Sequence, residues 1–127
     1  VEKNGVELTI KEKNTIQTSG RQIQLKRAFN NIIDNSKRYA KKIEINLYKN
    51  DKECVIEFND DGEGIPSNKY EDVFKPFFTL DPSRNKLKGE SGLGLTITRD
   101  IIRSHGGDVK LSESNFGGLQ LKVLLPL

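Results

Sequence analysis

The sequence of 127 residues holds one cysteine, Cys54, which excludes an internal disulfide and any thiolate-based metal cluster. Cys54 sits inside an apolar alternation, where a thiol behaves as a small buried hydrophobe. Usage this sparse fits a reducing cytoplasm. No run approaches the ~18 consecutive apolar residues of a membrane span, and no secretory signal is visible. Charge of one sign is scarce too: 21 basic against 18 acidic residues leave a net +3, compatible with a phosphate ligand but too small to argue for nucleic acid. Internal repeats and low-complexity tracts are absent.

What is present is a polar chain, 34% apolar and 31% charged, with clear periodic apolar segments. Its length suits one domain with a core that needs no metal or disulfide staple. It opens on Val1 rather than Met, so residues 1–127 are read as a single domain cut from something longer.

Val6–Ile10 alternates as a short strand, and Thr15–Gln17 suggests a second. Ile23, Leu25, Ala28, Phe29, Ile32, Ile33 and Ser36 recur at spacings of three and four, predicting one apolar face of a helix from about Gln24 to Ala40. Ile43–Tyr48 and Cys54–Phe58 alternate around an Asn50-Asp51 turn and read as a hairpin. Tyr70–Phe74 reads as a helical turn, Thr79–Ser91 as a long functional loop, and Leu93–Ser104 as a helix stopped by His105-Gly106-Gly107. Val109–Leu111 and Leu119–Leu125 close the pattern around a Phe116-Gly117-Gly118 turn. These runs predict an α+β fold: helices on one face of a mixed, mainly antiparallel sheet.

Four segments carry chemistry. Asp60-Asp61-Gly62-Glu63-Gly64-Ile65-Pro66 follows a strand and pairs carboxylates with glycines. Such a segment lets backbone approach a ligand while an acid reads a donor on it, although an ordinary tight turn uses the same residues. Asn31 and Asn35 share a helix face; they suit either a solvated face or a hard oxygen for Mg²⁺. Phe74-Lys75-Pro76-Phe77-Phe78 forms an apolar cluster that would anchor a loop. Gly89-Glu90-Ser91-Gly92-Leu93-Gly94-Leu95 feeds a helix N-terminus, an anion site in kind, but lacks the GK[ST] ending of a Walker A loop and a surrounding parallel βαβ unit.

In order and spacing these segments resemble the GHKL ATP-binding fold, and within it the catalytic ATP-binding domain of bacterial sensor histidine kinases. The resemblance runs from Val6 to Leu127. LKRAFNNIIDNSKRY, FKPFFTLDPSRN and the ending LLP are similar to its EnvZ-like subgroup. It implies that Asn35 ligates Mg²⁺, with Asn31 supporting metal or phosphate. Arg38 matches a basic residue beside Lys37, and Tyr39 packs near adenine. Asp60 accepts the adenine amine, Gly62 and Gly64 shape the purine pocket, and Ile65 lines it. Phe74, Phe77 and Phe78 form the base of a lid from which Arg84 reaches the γ-phosphate, and Ser91, Gly92, Leu93, Gly94 and Leu95 close over the triphosphate. Two departures stand out. Gly89-Glu90-Ser91 replaces a common Gly-Gly-Thr, and Glu90 is expected to face solvent. Leu119 stands where many relatives have Thr, which puts in question a water-mediated adenine contact there.

The resemblance further implies transfer of the γ-phosphoryl group to a histidine on a separate two-helix dimerisation domain, and through it to a response regulator. It implies the cytoplasmic part of an inner-membrane sensor, with no nucleic-acid or membrane contact by this domain. An ATP-hydrolysing clamp or an anti-sigma-type serine kinase is the rival reading. The clamps carry a Glu base where this chain has Asn31, and an amide has no useful basicity there. The only histidine, His105, reads as a helix terminus where a cation is favoured, so the isolated chain is expected to bind ATP·Mg²⁺ without phosphorylating itself.

Overall fold

The computed structural model describes residues 2–3, 6–12, 21–78 and 94–127, with side chains described from Arg21 onward except those of Arg38 and Tyr39. The strand expected at Thr15–Gln17 and the loop expected at Thr79–Ser91 lie outside the described residues.

Strand alternation builds the sheet. β3 (Lys42–Lys49) and β4 (Glu53–Asp60) form the expected hairpin, with Ile45 opposite Phe58 and Leu47 opposite Ile56. Asn50 closes its turn: Oδ1 accepts the N–H of Lys52 at 2.9 Å and of Glu53 at 2.7 Å. β6 (Leu119–Pro126) pairs with the other side of β4, placing Leu121 opposite Phe58, and β5 (Asp108–Glu113) pairs with β6. β2 (Val6–Glu12) joins β3 in parallel, and the two-residue β1 (Glu2–Lys3) pairs with β2. The order is β1-β2-β3-β4-β6-β5. The β2–β3 pair is the parallel one; such a pair needs a crossover, and α1 (Gln22–Tyr39) supplies it.

Register puts Ile43, Ile45, Cys54, Phe58, Leu121, Val123, Leu125 and Val109 on one face, where they form a single core with Ala28 and Ile32 of α1 and Ile102 of α2 (Gly94–Ser104). Both helices therefore cover the same face. The opposite face is polar, with Glu57 between the hydroxyl of Tyr48 at 2.8 Å and the ammonium of Lys122 at 3.5 Å. That bond and burial push the Tyr48 phenol up to about 12, burial being the larger cause. Cys54 is buried in the core, as expected.

Ile23 departs from expectation. It is 85% exposed, not part of the apolar face. At 100° per residue it lies about 180° around α1 from Ile32, so spacings of three and four that begin at Leu25 do not extend back to it.

The end of α2 is a glycine-capped stop. Gly106 has φ +83°, its N–H reaches Arg103 O at 3.0 Å, and the N–H of Gly107 reaches Ile102 O at 3.1 Å, the paired bonds of a Schellman cap. His105 stands at the helix terminus as expected, its Nε2 receiving the Arg21 N–H at 2.9 Å and its Nδ1 lying 2.8 Å from Ile101 O. Arg21 also donates through Nη2 to Ser104 Oγ at 2.7 Å, so the start of α1 is held by the end of α2.

A Cβ on Gly107 would overlap the carbonyl of Leu124 in β6. Gly107→Ala is expected to destabilise the domain by about 1–3 kcal/mol through overpacking; urea denaturation reads this as a lower midpoint at unchanged slope.

Candidate functional site

The buried side of β4 reads Cys54, Ile56, Phe58 and then Asp60, so the strand's inward alternation delivers a carboxylate to the end of an apolar stripe. Asp60 is only 6% exposed. Its Oδ1 accepts two backbone N–H groups, from Gly62 at 3.0 Å and Leu119 at 3.0 Å. Oδ2 accepts nothing among the described residues. Burial pushes the Asp60 carboxyl above its usual range, and the two N–H donors only partly offset this. Asp61 is shifted the other way. Its slight burial is outweighed by the N–H groups of Lys42 and Lys41, which reach Oδ1 at 2.9 and 2.8 Å. One carboxylate of the pair thus fastens the start of β3, and its neighbour keeps one oxygen without a partner among the described residues.

On α1, Asn31 and Asn35 are half-buried beside the buried positions Ala28, Ile32 and Ser36, and neither carboxamide hydrogen-bonds another described residue. Lys37 is half-buried on the same helix. Two threonines fix the first turns of α2. Thr98 Oγ1 reaches Gly94 O at 2.8 Å and Ala28 O of α1 at 3.5 Å, and Thr96 Oγ1 donates to Phe74 O at 2.7 Å. Gly94 opens α2 with free space around it, and Leu95 packs on the core. Among the described residues, no three His, Cys, Asp or Glu side chains gather to hold a metal ion by themselves. Arg84, Glu90, Ser91, Gly92 and Leu93 lie outside the described residues, as do the side chains of Arg38 and Tyr39.

The phenylalanines do not form one cluster. Phe74 is buried, with the Arg99 guanidinium 4.3 Å over its ring, and Arg99 in turn pairs with Glu71 at 2.9 Å and Asp108 at 3.4 Å. Phe78 is half-buried. Phe77 is 70% exposed with φ +62°. The reason is local: the N–H of Phe78 reaches Lys75 O at 3.2 Å, closing a turn with Pro76 at its second position and Phe77 at its third. That third position demands positive φ in a type II turn, which a bulky residue adopts only at a cost.

Gly64 has φ +74° and packs against the Gly117–Gly118 backbone, so its conformation is what requires glycine. Ile65 beside it is half-buried, and so is Gly62, which contributes its N–H to Asp60. The tight clearance lies at Gly118, which the sequence shows only as part of a turn. A Cβ there would overlap Asp60 Oδ1 and O and stand 2.7 Å from Gly62 N. The backbone N–H of Leu119 holds Asp60, whatever its side chain lacks. Gly118→Ala is therefore expected to displace the Asp60 carboxylate and destabilise the fold by about 1–3 kcal/mol, read as a lower melting temperature together with a shift of the Gly62 and Leu119 amide resonances.

A sequence profile of the family described as histidine kinase-, DNA gyrase B- and HSP90-like ATPase matches residues 20–127. The signal transduction histidine-protein kinase BaeS of Escherichia coli K12 is 32% identical over 126 residues, 97% of this chain and 27% of that protein. The sensor histidine kinase CpxA of the same strain is 38% identical over 104 residues, 81% of this chain and 23% of that protein. The chain thus spans about a quarter of the length of the curated relatives it matches. Among solved structures, the ATP-binding domain of PrrB from Mycobacterium tuberculosis superposes with a TM-score of 0.80 at 23% identity, covering 98% of this chain and 82% of that one. The mycobacterial sensor histidine kinase MprB gives 0.79 at 27% identity, covering 95% and 80%. The chain belongs to the histidine kinase-, DNA gyrase B- and HSP90-like ATPase family and is homologous to sensor histidine kinases.

Proposed function

We propose that this domain binds ATP·Mg²⁺ and supplies the γ-phosphoryl group to a histidine on a separate dimerisation domain, as the catalytic part of a two-component sensor. The observation that carries the reading is Asp60. A buried carboxylate with one oxygen pinned by two main-chain donors and the other without a partner among the described residues is an acceptor held ready for one donor. The exocyclic amine of adenine is such a donor. Gly62, Gly64 and Ile65 would shape and line the base site beside it, with Tyr39 packing nearby.

Asn35, with Asn31 in support, would hold the metal. A half-buried carboxamide with no described partner offers the hard oxygen that Mg²⁺ prefers, and Mg²⁺ takes its other oxygens from phosphate and water. Bound Mg²⁺ would neutralise part of the triphosphate charge. Arg38, Arg84 and the stretch Ser91, Gly92, Leu93, Gly94 and Leu95 would meet the phosphates, the last at the N-terminal end of α2. Phe77 would stand at the foot of that stretch, exposed to the ligand side. The chain's contribution to transfer is to position and to neutralise charge. An acceptor imidazole nitrogen forms the P–N bond as the bond from the γ-phosphorus to the β–γ bridging oxygen breaks, and ADP leaves with the electron pair.

Asn31 favours transfer over hydrolysis, because no carboxylate base stands one turn before Asn35. His105 suits structure rather than phosphoryl acceptance, since both its ring nitrogens are engaged. The parent would be an inner-membrane sensor with this domain in the cytoplasm, acting on a response regulator through the dimerisation domain. Among the described residues no helix is long and apolar enough to cross a membrane.

Asp60→Asn tests the base site. The amide keeps Oδ1 for its two donors but replaces the Oδ2 acceptor with an N–H donor. ATP affinity is expected to fall about 10- to 100-fold, the loss of one hydrogen bond to a charged group; equal affinity by calorimetry would sink the adenine role. Stability should not fall. A folded pKa raised above the unfolded value contributes stability in full below the unfolded value and loses it as pH rises through the folded value, so the Asp60 carboxyl adds less to the fold as pH rises. The variant's melting temperature at neutral pH is expected to equal or exceed that of the parent, with the difference shrinking toward acid. Asn35→Ala should flatten the dependence of ATP affinity on Mg²⁺ concentration, and an unchanged Mg²⁺ response would remove the metal assignment. Supplied with γ-labelled ATP, the chain alone should gain no stable phosphate, whereas adding the helical acceptor domain in trans should label that domain.

A further inference from the structure

We propose that Ser114 is a positioning residue for base recognition, its buried hydroxyl setting where Asp60 presents its unused oxygen. The proposal rests on the reading of Asp60 as the adenine acceptor. Ser114 follows β5 at the start of the turn into β6 and is 5% exposed. Its Oγ donates to the main-chain carbonyl of Asp60 at 2.6 Å and accepts the N–H groups of Phe116 at 3.2 Å and Gly118 at 3.0 Å. A hydroxyl has one donor and two acceptor sites, and all three are used. The main chain of Ser114 adds the closing bonds of the turn, its N–H reaching Gly118 O at 2.9 Å and its carbonyl accepting from Gly117 N–H at 3.2 Å.

The position of this hydroxyl decides its effect. The β4–β6 ladder ends at Asn59 opposite Gln120, so the carbonyl of Asp60 lies one residue past the last pairing with β6. Ser114 takes that carbonyl and ties the turn to it. The next free N–H beyond the tied turn is Leu119, and it lands on Asp60 Oδ1. The 114–119 segment therefore grips Asp60 twice, its main chain through the Ser114 hydroxyl and its side chain through the Leu119 amide. Without the hydroxyl, a carbonyl and two N–H groups lose their partner. The Leu119 donor then loses its registration with Oδ1, and the carboxylate is free to turn away from the direction in which it presents Oδ2. Ser114 acts through Asp60 rather than on the base, so its loss should blur the choice of base without removing grip on phosphate.

The test compares Mg²⁺-loaded ATP with inosine triphosphate, which carries a carbonyl in place of the amine, on the purified 127-residue chain by calorimetry. Ser114→Ala is expected to cut the ATP preference about tenfold while inosine triphosphate affinity stays within about twofold, the equivalent of one lost hydrogen bond. Ser114→Thr, which restores the hydroxyl, should keep the preference. Ser114→Cys, near-isosteric with a weaker donor, should lose part of it and decides the matter if the alanine variant does not fold. An unchanged preference in the folded alanine or cysteine variant overturns the proposal, as does an equal fall for both nucleotides. If Asp60→Asn abolishes the preference while Ser114→Ala keeps it, Ser114 alone is refuted. A parent chain with no preference refutes the reading of Asp60 beneath it.

Discussion

A carboxyl group in a nearly dry place is the constraint from which this end of the molecule takes its form. Removing Asp60 from water costs several kcal/mol unless donors replace the lost hydration. The chain meets this with main-chain amides, which are fixed dipoles and bring no mobile side chain. Supplying them from both sides demands that β4 turn sharply at Gly62 and that the β5–β6 connection come into contact with it. Gly118 permits that contact, and the positive φ of Gly64 and Gly117 bends the two segments around each other. Among the described residues only Oδ1 of the carboxylate is satisfied in this way, and burial holds its pKa above the usual carboxylate range.

The remaining architecture holds the other segments at fixed distances from that point. α1 and α2 share one core and are joined at both ends of α2, by Thr98 to Ala28 near its start and by Arg21 to Ser104 and His105 at its finish. Arg99 adds a third attachment, packing on Phe74 and bridging Glu71 to Asp108. Its guanidinium is well suited to this, since a planar fork can stack on a ring while it pairs with carboxylates. The asparagines of α1 and the start of α2 are thus set by packing on the same sheet that carries Asp60.

Most of this was legible in the sequence where the determinant is local. Alternation located β3, β4 and β6, helical spacing located both helices, and His105-Gly106-Gly107 marked the stop. The candidate site was legible as far as Asp60, because a strand that ends in a carboxylate followed by glycines is a local pattern. What escaped depends on three dimensions. Gly118 reads as a turn glycine, and only the arrival of β4 beside it makes its missing side chain necessary. Ser114 carries no signal at all in its own segment. Ile23 was counted with the apolar face because it is apolar, although its angle on the helix puts it outside. Phe77 looked like its neighbours, but the Pro76 turn aims it away from them. Parallel pairing of β2 with β3 follows from the crossover, which no strand pattern reveals.

That parallel pairing bears on where the domain begins. The family profile starts at residue 20, yet β1 and β2 lie before it and supply one side of the sheet. A chain trimmed to the profile would keep both helices, the core and Asp60. It would leave β3 as an edge strand of eight residues with its N–H and C=O groups unpaired on that side. Such an edge is a template for pairing with other chains. The short N-terminal strands therefore act as a cover for the β3 edge, upstream of the point where the family profile starts.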